Sequence, residues 1–466
     1  MNRFLVIALF VVATAISIAH GAAPEMRGTW LTTTANDAVA TPEQTAKTMR
    51  RLREIGLNTV YIECWKNGYT EWPSEVMRKL VGVPFRVNGA DALQRDLLDE
   101  AVIEAHRNQM LAIAWLEYGL MVSAPDTEPD LRKFARQKGW LTLDQHGNEI
   151  GKLDHFVWLN PFHPECQQLL INLSVEAIRN YDLDGIQLDD RIALPADLGY
   201  DPYTVALYQK EHAGKSPPPV PDAFYAEGFK PSAEWTEWVQ WRADRISEFA
   251  QRYVTAVRAV HPDLIISVSP APHPWSLERY CCDWTEWSKW CYCGGRRWSE
   301  YVPQCYRMTG DETIKTLDNQ AQHVGDERVN MVAGIRVVGD GPDLPFADLQ
   351  RVIEHTRKLD MIGHCIWFSR GVLDVYPEQL KTFYDVAGKG PAQHPLKPGE
   401  WRPAPIVATK NAMNAWKATV SVEGRYNVIA KSSGTWSIVT TLDLKPGEQT
   451  FVQEADAVEL LVDHRP

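Results

Sequence analysis

The chain has 466 residues, with 48 Lys+Arg against 60 Asp+Glu and a net charge of −12. This acidic balance argues against DNA, RNA or anionic lipid as partners, because phosphates need clustered Lys and Arg. A charged fraction of 23% and a hydrophobic fraction of 45% exclude wholesale disorder.

In chain order, residues 1–21 come first. Arg3 supplies one positive charge, residues 4–18 are apolar apart from Thr14 and Ser17, and Ala19-His20-Gly21 offers small residues for a cut. The run is shorter than the roughly 20 residues of a spanning helix. It predicts a signal peptide removed near Gly21 or Ala22, and an exported protein with no membrane span after cleavage.

From Glu25 onward, strand-like apolar runs alternate with amphipathic stretches about eight times. Strands are predicted at residues 26–32, 59–64, 111–116, 185–189, 264–269, 301–306, 329–335 and 362–368. Thr41-Pro42-Glu43-Gln44 opens a helix with a hydroxyl cap and a proline in the first turn. Further helices are predicted at 91–108, 164–180, 235–261, 311–324, 346–359 and 377–387, with a shorter one near 283–290. Eight strand–helix pairs predict an α/β fold, a (β/α)8 TIM-type barrel over residues 22–388. A doubly wound open sheet is the alternative, but no Gly-rich fingerprint follows the first strand. The long connections at 118–160 and 191–233 read as loops that shape a pocket at one barrel face.

Residues 389–404 carry Pro391, Pro395, Pro398 and Pro403 and read as an extended linker. Residues 405–466 alternate like short strands, with Gly424, Gly434 and Gly447 at turns. They predict a small β-sandwich-like domain that braces the barrel, with carbohydrate binding as the alternative. Cys281, Cys282, Cys291 and Cys293 crowd into one short stretch. Their spacing is not that of a structural zinc site, and in an exported protein loop disulfides are expected.

Active-site groups of a barrel come from the C-terminal strand ends. In Asp184-Gly185-Ile186-Gln187-Leu188-Asp189-Asp190, period-two alternation turns Gln187 and Asp189 inward and leaves Asp190 on the rim. In Ala114-Trp115-Leu116-Glu117-Tyr118, Glu117 shares the parity of Trp115 and reaches the neighbouring lip. Two carboxylates across one cleft are the minimum equipment for glycoside hydrolysis. Asp189 is the candidate nucleophile or base and Glu117 the candidate general acid. Asp190, Glu63, Gln187, Ser269, Gln304, Tyr118 and Tyr306 are candidates for substrate contact or for tuning those carboxylates. Trp65, Trp115 and Trp367 are candidate sugar platforms, since indole faces suit pyranose rings. No Ser-nucleophile elbow, zinc helix or phosphate loop is present, and a carboxylate mechanism needs no metal or cofactor.

Several motifs resemble the glycosyl-hydrolase-like 10 family of bacterial proteins. They are Arg27-Gly28-Thr29-Trp30-Leu31-Thr32, the stretch from Asn67-Gly68-Tyr69-Thr70 through Trp72-Pro73-Ser74, and Trp115-Leu116-Glu117-Tyr118-Gly119. Val157-Trp158-Leu159-Asn160-Pro161, the run from Asp184 to Asp190, and Gly199-Tyr200-Asp201-Pro202 continue it. Trp241-Arg242-Ala243-Asp244, Ser267-Val268-Ser269-Pro270 and Gln304-Cys305-Tyr306 complete it. The resemblance runs from about Glu25 to Gly388. It implies a TIM-type barrel and an exported or envelope glycosidase whose relatives act on peptidoglycan strands stripped of peptides. Two positions depart from the family pattern. Glu63 stands where relatives often have an apolar residue, and Arg191 follows the paired aspartates where they often have His or Tyr.

The expected function is therefore an exported glycoside hydrolase acting on a polysaccharide or oligosaccharide. A noncatalytic carbohydrate-binding barrel and a structural envelope protein are the alternatives. Oligomeric state cannot be read from these residues.

Overall fold

The computed structural model describes residues 22–85, 95–290, 297–399 and 401–466. Eight parallel strands form the central sheet: β1 (Met26–Leu31), β2 (Thr59–Glu63), β3 (Leu111–Leu116), β4 (Gly185–Asp189), β5 (Ile265–Ser269), β6 (Glu300–Tyr301), β7 (Val332–Arg336) and β8 (Gly363–Trp367). They pair in sequence order from β1 to β6, and β8 joins β1 to β7. Parallel bridges Tyr301↔Met331 and Gln304↔Gly334 close β6 onto β7. The open-sheet alternative is thereby ruled out, and the barrel expectation stands.

The sixth strand is shorter than expected, because Pro303 has no N–H to give the ladder. Pairing resumes one residue later, at Gln304. That closure needs Gly334, whose Cβ would lie 2.6 Å from the Pro303 carbonyl oxygen.

The helices fall where the periodicity placed them. α1 (Pro42–Ile55) is capped by Thr41, whose side chain accepts from the Gln44 N–H at 3.2 Å. α2 (Leu97–Arg107), α3 (Pro164–Asn180), α4 (Ala233–Val260), α5 (Gly310–Val324) and α6 (Phe346–Lys358) surround the sheet. The long loop after β3 holds the helix Asp130–Lys138 and a hairpin pairing Met121–Ser123 with Val157–Trp158. The loop after β4 holds the helix Pro202–Glu211.

Residues of the sequence motifs quoted above knit these two loops together. Asn160 donates to Asp201 at 2.8 Å, and Asp201 caps the helix it precedes. Arg242, enclosed on α4, donates to the carbonyls of Ala196 and Leu198 at 2.9 and 2.7 Å. Much of the motif set is thus scaffolding for the loops.

Ten of the eighteen Trp are essentially enclosed. Most of the indole surplus is core, not sugar platform. Cys281 and Cys282 are buried free thiols. The expected loop disulfides are therefore not formed by this pair, and Cys291 and Cys293 lie outside the described residues. So does the expected signal segment.

The C-terminal residues form two antiparallel sheets. β9 (Ile406–Val407), β12 (Gly424–Ser432), β13 (Thr435–Leu444) and β15 (Ala457–Val462) make one, and β10 (Thr409–Lys410), β11 (Trp416–Val420) and β14 (Gly447–Phe451) the other. Tyr426, Val428, Val458 and Leu460 pack with Trp416, Ala418 and Val420 in the sandwich core. Alternate residues Ile429 and Leu461, with Trp436, face Ile103 of α2 instead. Arg107 of α2 adds an ion pair to Glu459 at 2.9 Å and lies 4.2 Å over the Trp436 ring. From the linker, buried Arg402 reaches Asp182 and Asp184 at 2.7 and 2.8 Å, just ahead of β4. The β unit is fastened to the N-terminal end of the barrel, away from the strand tips that carry chemistry.

Candidate active site

Strand register sets the levels of the barrel interior. Glu63 pairs with Trp115, Trp115 with Gln187, and Gln187 with Ser267, so these four form one layer. Asp189 pairs with Ser269 one layer higher, where Glu117 follows the end of β3. Both carboxylates arrive at the C-terminal mouth, as the alternation predicts.

Asp189 is enclosed by donors. It accepts from the Asp190 N–H at 2.8 Å, the Gln304 amide at 2.6 Å, the Trp115 indole at 3.2 Å and Arg191 at 3.3 Å. Burial and the Asp190 charge push its pKa up, to about 8. Asp190 is more open and pairs with Arg191 at 2.5 Å. Arg191 is fixed by its own backbone, whose carbonyl accepts from Leu120 N–H at 3.0 Å. That approach needs Gly119, which has φ +45° and whose Cβ would lie 2.7 Å from the same carbonyl oxygen.

A second carboxyl pair faces the first. Glu63 is wholly enclosed; it accepts from the Thr33 N–H at 2.6 Å, from the Thr33 hydroxyl, and from Lys66 at 2.8 Å. Burial opposes its charge most, but the Lys66 charge together with hydrogen bonds from Glu117, Lys66 and Thr33 outweighs it and holds Glu63 below the usual carboxylate range. Glu117 lies beside it with Lys66 3.5 Å away and one carboxyl oxygen lacking a hydrogen-bond partner. Burial, then the Glu63 charge, pushes Glu117 well above the usual range. The two adjoining carboxyls thus share one proton, and the Lys66 charge beside Glu63 biases it toward Glu117. The mouth therefore offers a proton donor on β3 and a donor-wrapped carboxylate on β4, the pair that acid-assisted displacement at an acetal carbon requires.

Around them, Tyr306 and Trp367 keep part of their rings open, with centroids 5.8 Å apart. The profile of the family described as Glycosyl hydrolase-like 10 matches residues 25–340. The chain belongs to this family. It is 25% identical over 270 residues to Glycosyl hydrolase DigH of Escherichia coli K12, a match covering 53% of this chain and 55% of that protein. The chain thus spans about half the length of the curated relatives it matches. In fold it is similar to the PgaB (BpsB) glycoside hydrolase domain from Bordetella bronchiseptica, with TM-score 0.55, 14% identity, and coverage of 78% of this chain and 98% of that one. It is likewise similar to the catalytic domain of β-amylase from Paenibacillus polymyxa, with TM-score 0.54, 8% identity, and coverage of 80% and 96%.

Within this glycosyl hydrolase-like 10 barrel, several expected contact residues have other work. Trp65 and Trp115 are enclosed and present no face to a sugar; Trp65 donates to the Gly119 carbonyl at 3.0 Å, while Trp115 orients Asp189. Gln187 is locked between the Trp30 indole and the Ser267 hydroxyl, each at 2.8 Å. Ser269 donates to the Val302 carbonyl at 3.0 Å, and Tyr118 is buried edge-on against Phe156. Glu63 tunes Glu117 from beneath and does not meet solvent. Facing inward does not mean facing the cleft, because the lower layer of a barrel is filled by its own side chains.

Three groups at the mouth were not singled out from sequence. Lys66 lies three residues after Glu63, and that spacing across a short hairpin was the available signal. Thr33 follows β1 directly. Asp154, in the loop after β3, accepts from the Trp158 indole at 3.0 Å; burial, then the Asp197 charge, raises its pKa to about 6. Nothing local to residue 154 marks it, since the loop fold alone brings it to the rim.

Proposed function

We propose that this chain is an exported glycoside hydrolase that cleaves peptide-free peptidoglycan strands. The observation that carries the catalytic reading is the pairing of a protonated Glu117 with a donor-wrapped Asp189 at one barrel mouth. Glu117 delivers its proton to the glycosidic oxygen as the bond to the anomeric carbon breaks. Asp189 attacks that carbon or takes a proton from the water that does. Gln304, Trp115 and Arg191 hold Asp189 in place, and Lys66 with Glu63 keeps the proton on Glu117. Tyr306 and Trp367 offer open ring surface to the sugar.

The substrate reading rests on the kinship with DigH, itself named a glycosyl hydrolase, and on the signal-like residues 1–21. Amidase-treated peptidoglycan should be cut to short oligosaccharides, and intact crosslinked sacculi slowly or not at all, when both digests are chromatographed side by side. Equal cleavage of intact sacculi refutes the preference. Activity on a neutral glucan with neither peptidoglycan form cut refutes the substrate class. Export is tested by N-terminal sequencing of the mature protein, which should begin near Ala22.

The pH profile follows from the same charges. Asp189 must be ionised to act, so kcat/KM rises as pH climbs through about 8. It falls again where Glu117, held well above the ordinary range, loses its proton. In Asp190→Asn the charge that raises Asp189 is gone, and the rising limb should move to lower pH. A limb that stays at about 8 in the variant would assign it to another group.

A further inference from the structure

Beyond the C-terminal ends of β5 and β6 lies a cavity of about 420 Å³. It lies between the loop after β5, the segment after β6 and the first turns of α5. Trp275, Arg307, Glu312 and Lys315 line it. Trp275 is 48% exposed, against the ten enclosed indoles of the core.

Two links join this cavity to the mouth. Tyr280 packs 4.9 Å from Trp275 at a tilt of 42°, and it lies within electrostatic reach of Asp190 and Arg191. Arg307 adjoins Tyr306 and donates to its carbonyl at 2.7 Å.

At the mouth, Lys66 and Arg191 are already engaged by the carboxyls of Glu63, Glu117, Asp189 and Asp190. In the cavity, neither Arg307 nor Lys315 has an ion-pair partner among the described residues, whereas Glu312 takes the Thr309 hydroxyl at 2.9 Å within its own helix cap. Uncommitted cations beside an open indole fit an acidic substituent on a sugar ring. Arg suits a carboxylate bidentately, and the indole face takes the ring beneath it.

We infer that this cavity is a flanking subsite for a carboxylate-bearing pyranose. The ring lies on Trp275 and the carboxylate meets Arg307 and Lys315. The inference rests on the hydrolase reading above and narrows its substrate to glycans that carry an acid on a sugar near the cut. Stripped peptidoglycan strands have one, because the lactyl ether remains on alternate sugars once the peptides are gone. The cavity accepts that group on one face of the strand, so a strand of alternating sugars is held in one register.

The test compares peptide-free peptidoglycan strands with the same strands after the lactyl carboxylates are reduced to alcohols. On unreduced strands, Arg307→Gln/Lys315→Gln should raise KM about tenfold with kcat within about twofold of the parent. On reduced strands the parent itself should show the higher KM, and the double variant should add nothing. Trp275→Ala should raise KM on both. Equal KM for parent and double variant on unreduced strands overturns the subsite.

If the parent cuts neither strand, the hydrolase reading fails, and the subsite is judged by binding alone. Calorimetry of unreduced strands with the parent and the double variant should then show about tenfold weaker, less salt-sensitive binding in the variant. Equal affinities overturn it.

Discussion

Replacing Asp189 by Asn is expected to lower turnover on peptide-free glycan strands by at least about a hundredfold, with the thermal midpoint nearly unchanged. A hundredfold is about 2.7 kcal/mol of barrier, within what one reacting carboxylate supplies. Two opposing effects on stability come with the change. Asp189 has a raised pKa in the fold, so its ionised form costs stability at neutral pH, and an amide removes that cost. Against this, the new amide nitrogen meets N–H donors from either Trp115 and Arg191 or Asp190 and Gln304, a conflict of roughly 1 kcal/mol. The two act in opposite directions. Near-normal turnover per folded molecule, coupled to a large loss of stability, would make Asp189 a structural residue and remove the basis of the proposed mechanism.

The largest stability effect is expected far from the mouth, at Arg402. Arg402→Met leaves Asp182 and Asp184 buried without their guanidinium partner, with the His106 ring 3.6 and 3.0 Å away. Stripping the counter-charge from buried carboxylates costs about 3–5 kcal/mol. The pH dependence has a definite sign. Burial opposes both charges, but Arg402 and His106 outweigh it and hold both groups below the ordinary aspartate range. In the parent their contribution is present above the unfolded pKa of about 3.9 and is lost as pH falls through the lower folded values. In the variant, protonation relieves the unpaired charges, so the stability gap should narrow as pH falls below about 4. Urea denaturation at neutral and acid pH measures both quantities. A gap under about 1 kcal/mol, or one that does not change with pH, would show that the linker does not seal the barrel base.

The two carboxyl pairs of the mouth divide the labour by environment and not by residue type. Glu63 and Glu117 are chemically alike, yet Lys66 and Thr33 hold one charged while burial leaves the other protonated. Beside the other pair, Arg191 donates to both Asp189 and Asp190. Glu63 and Arg191 therefore fall among the residues that set the charges of the mouth. Each brings an added charge to a reacting carboxyl.

The sequence alone determined the barrel, because it shows in local periods. All eight strands and the main helices between them, α1 to α6, follow from alternation, apolar spacing and caps such as Thr41, which act within a few residues. It also determined that Glu117 and Asp189 reach one mouth, since strand parity and the C-terminal rule for barrels are local too. What only the tertiary structure decided is which inward residues meet the cleft. Trp115, Gln187 and Ser269 have the right parity, but their depth depends on register across four strands, and that is set by the whole sheet. Likewise, the proton on Glu117 depends on Glu63 and Lys66 from the end of another strand, and the grip of Arg402 on Asp184 spans 218 residues of chain. Charges and packing at such separations leave no periodic trace in a single sequence, so only the folded chain reveals them.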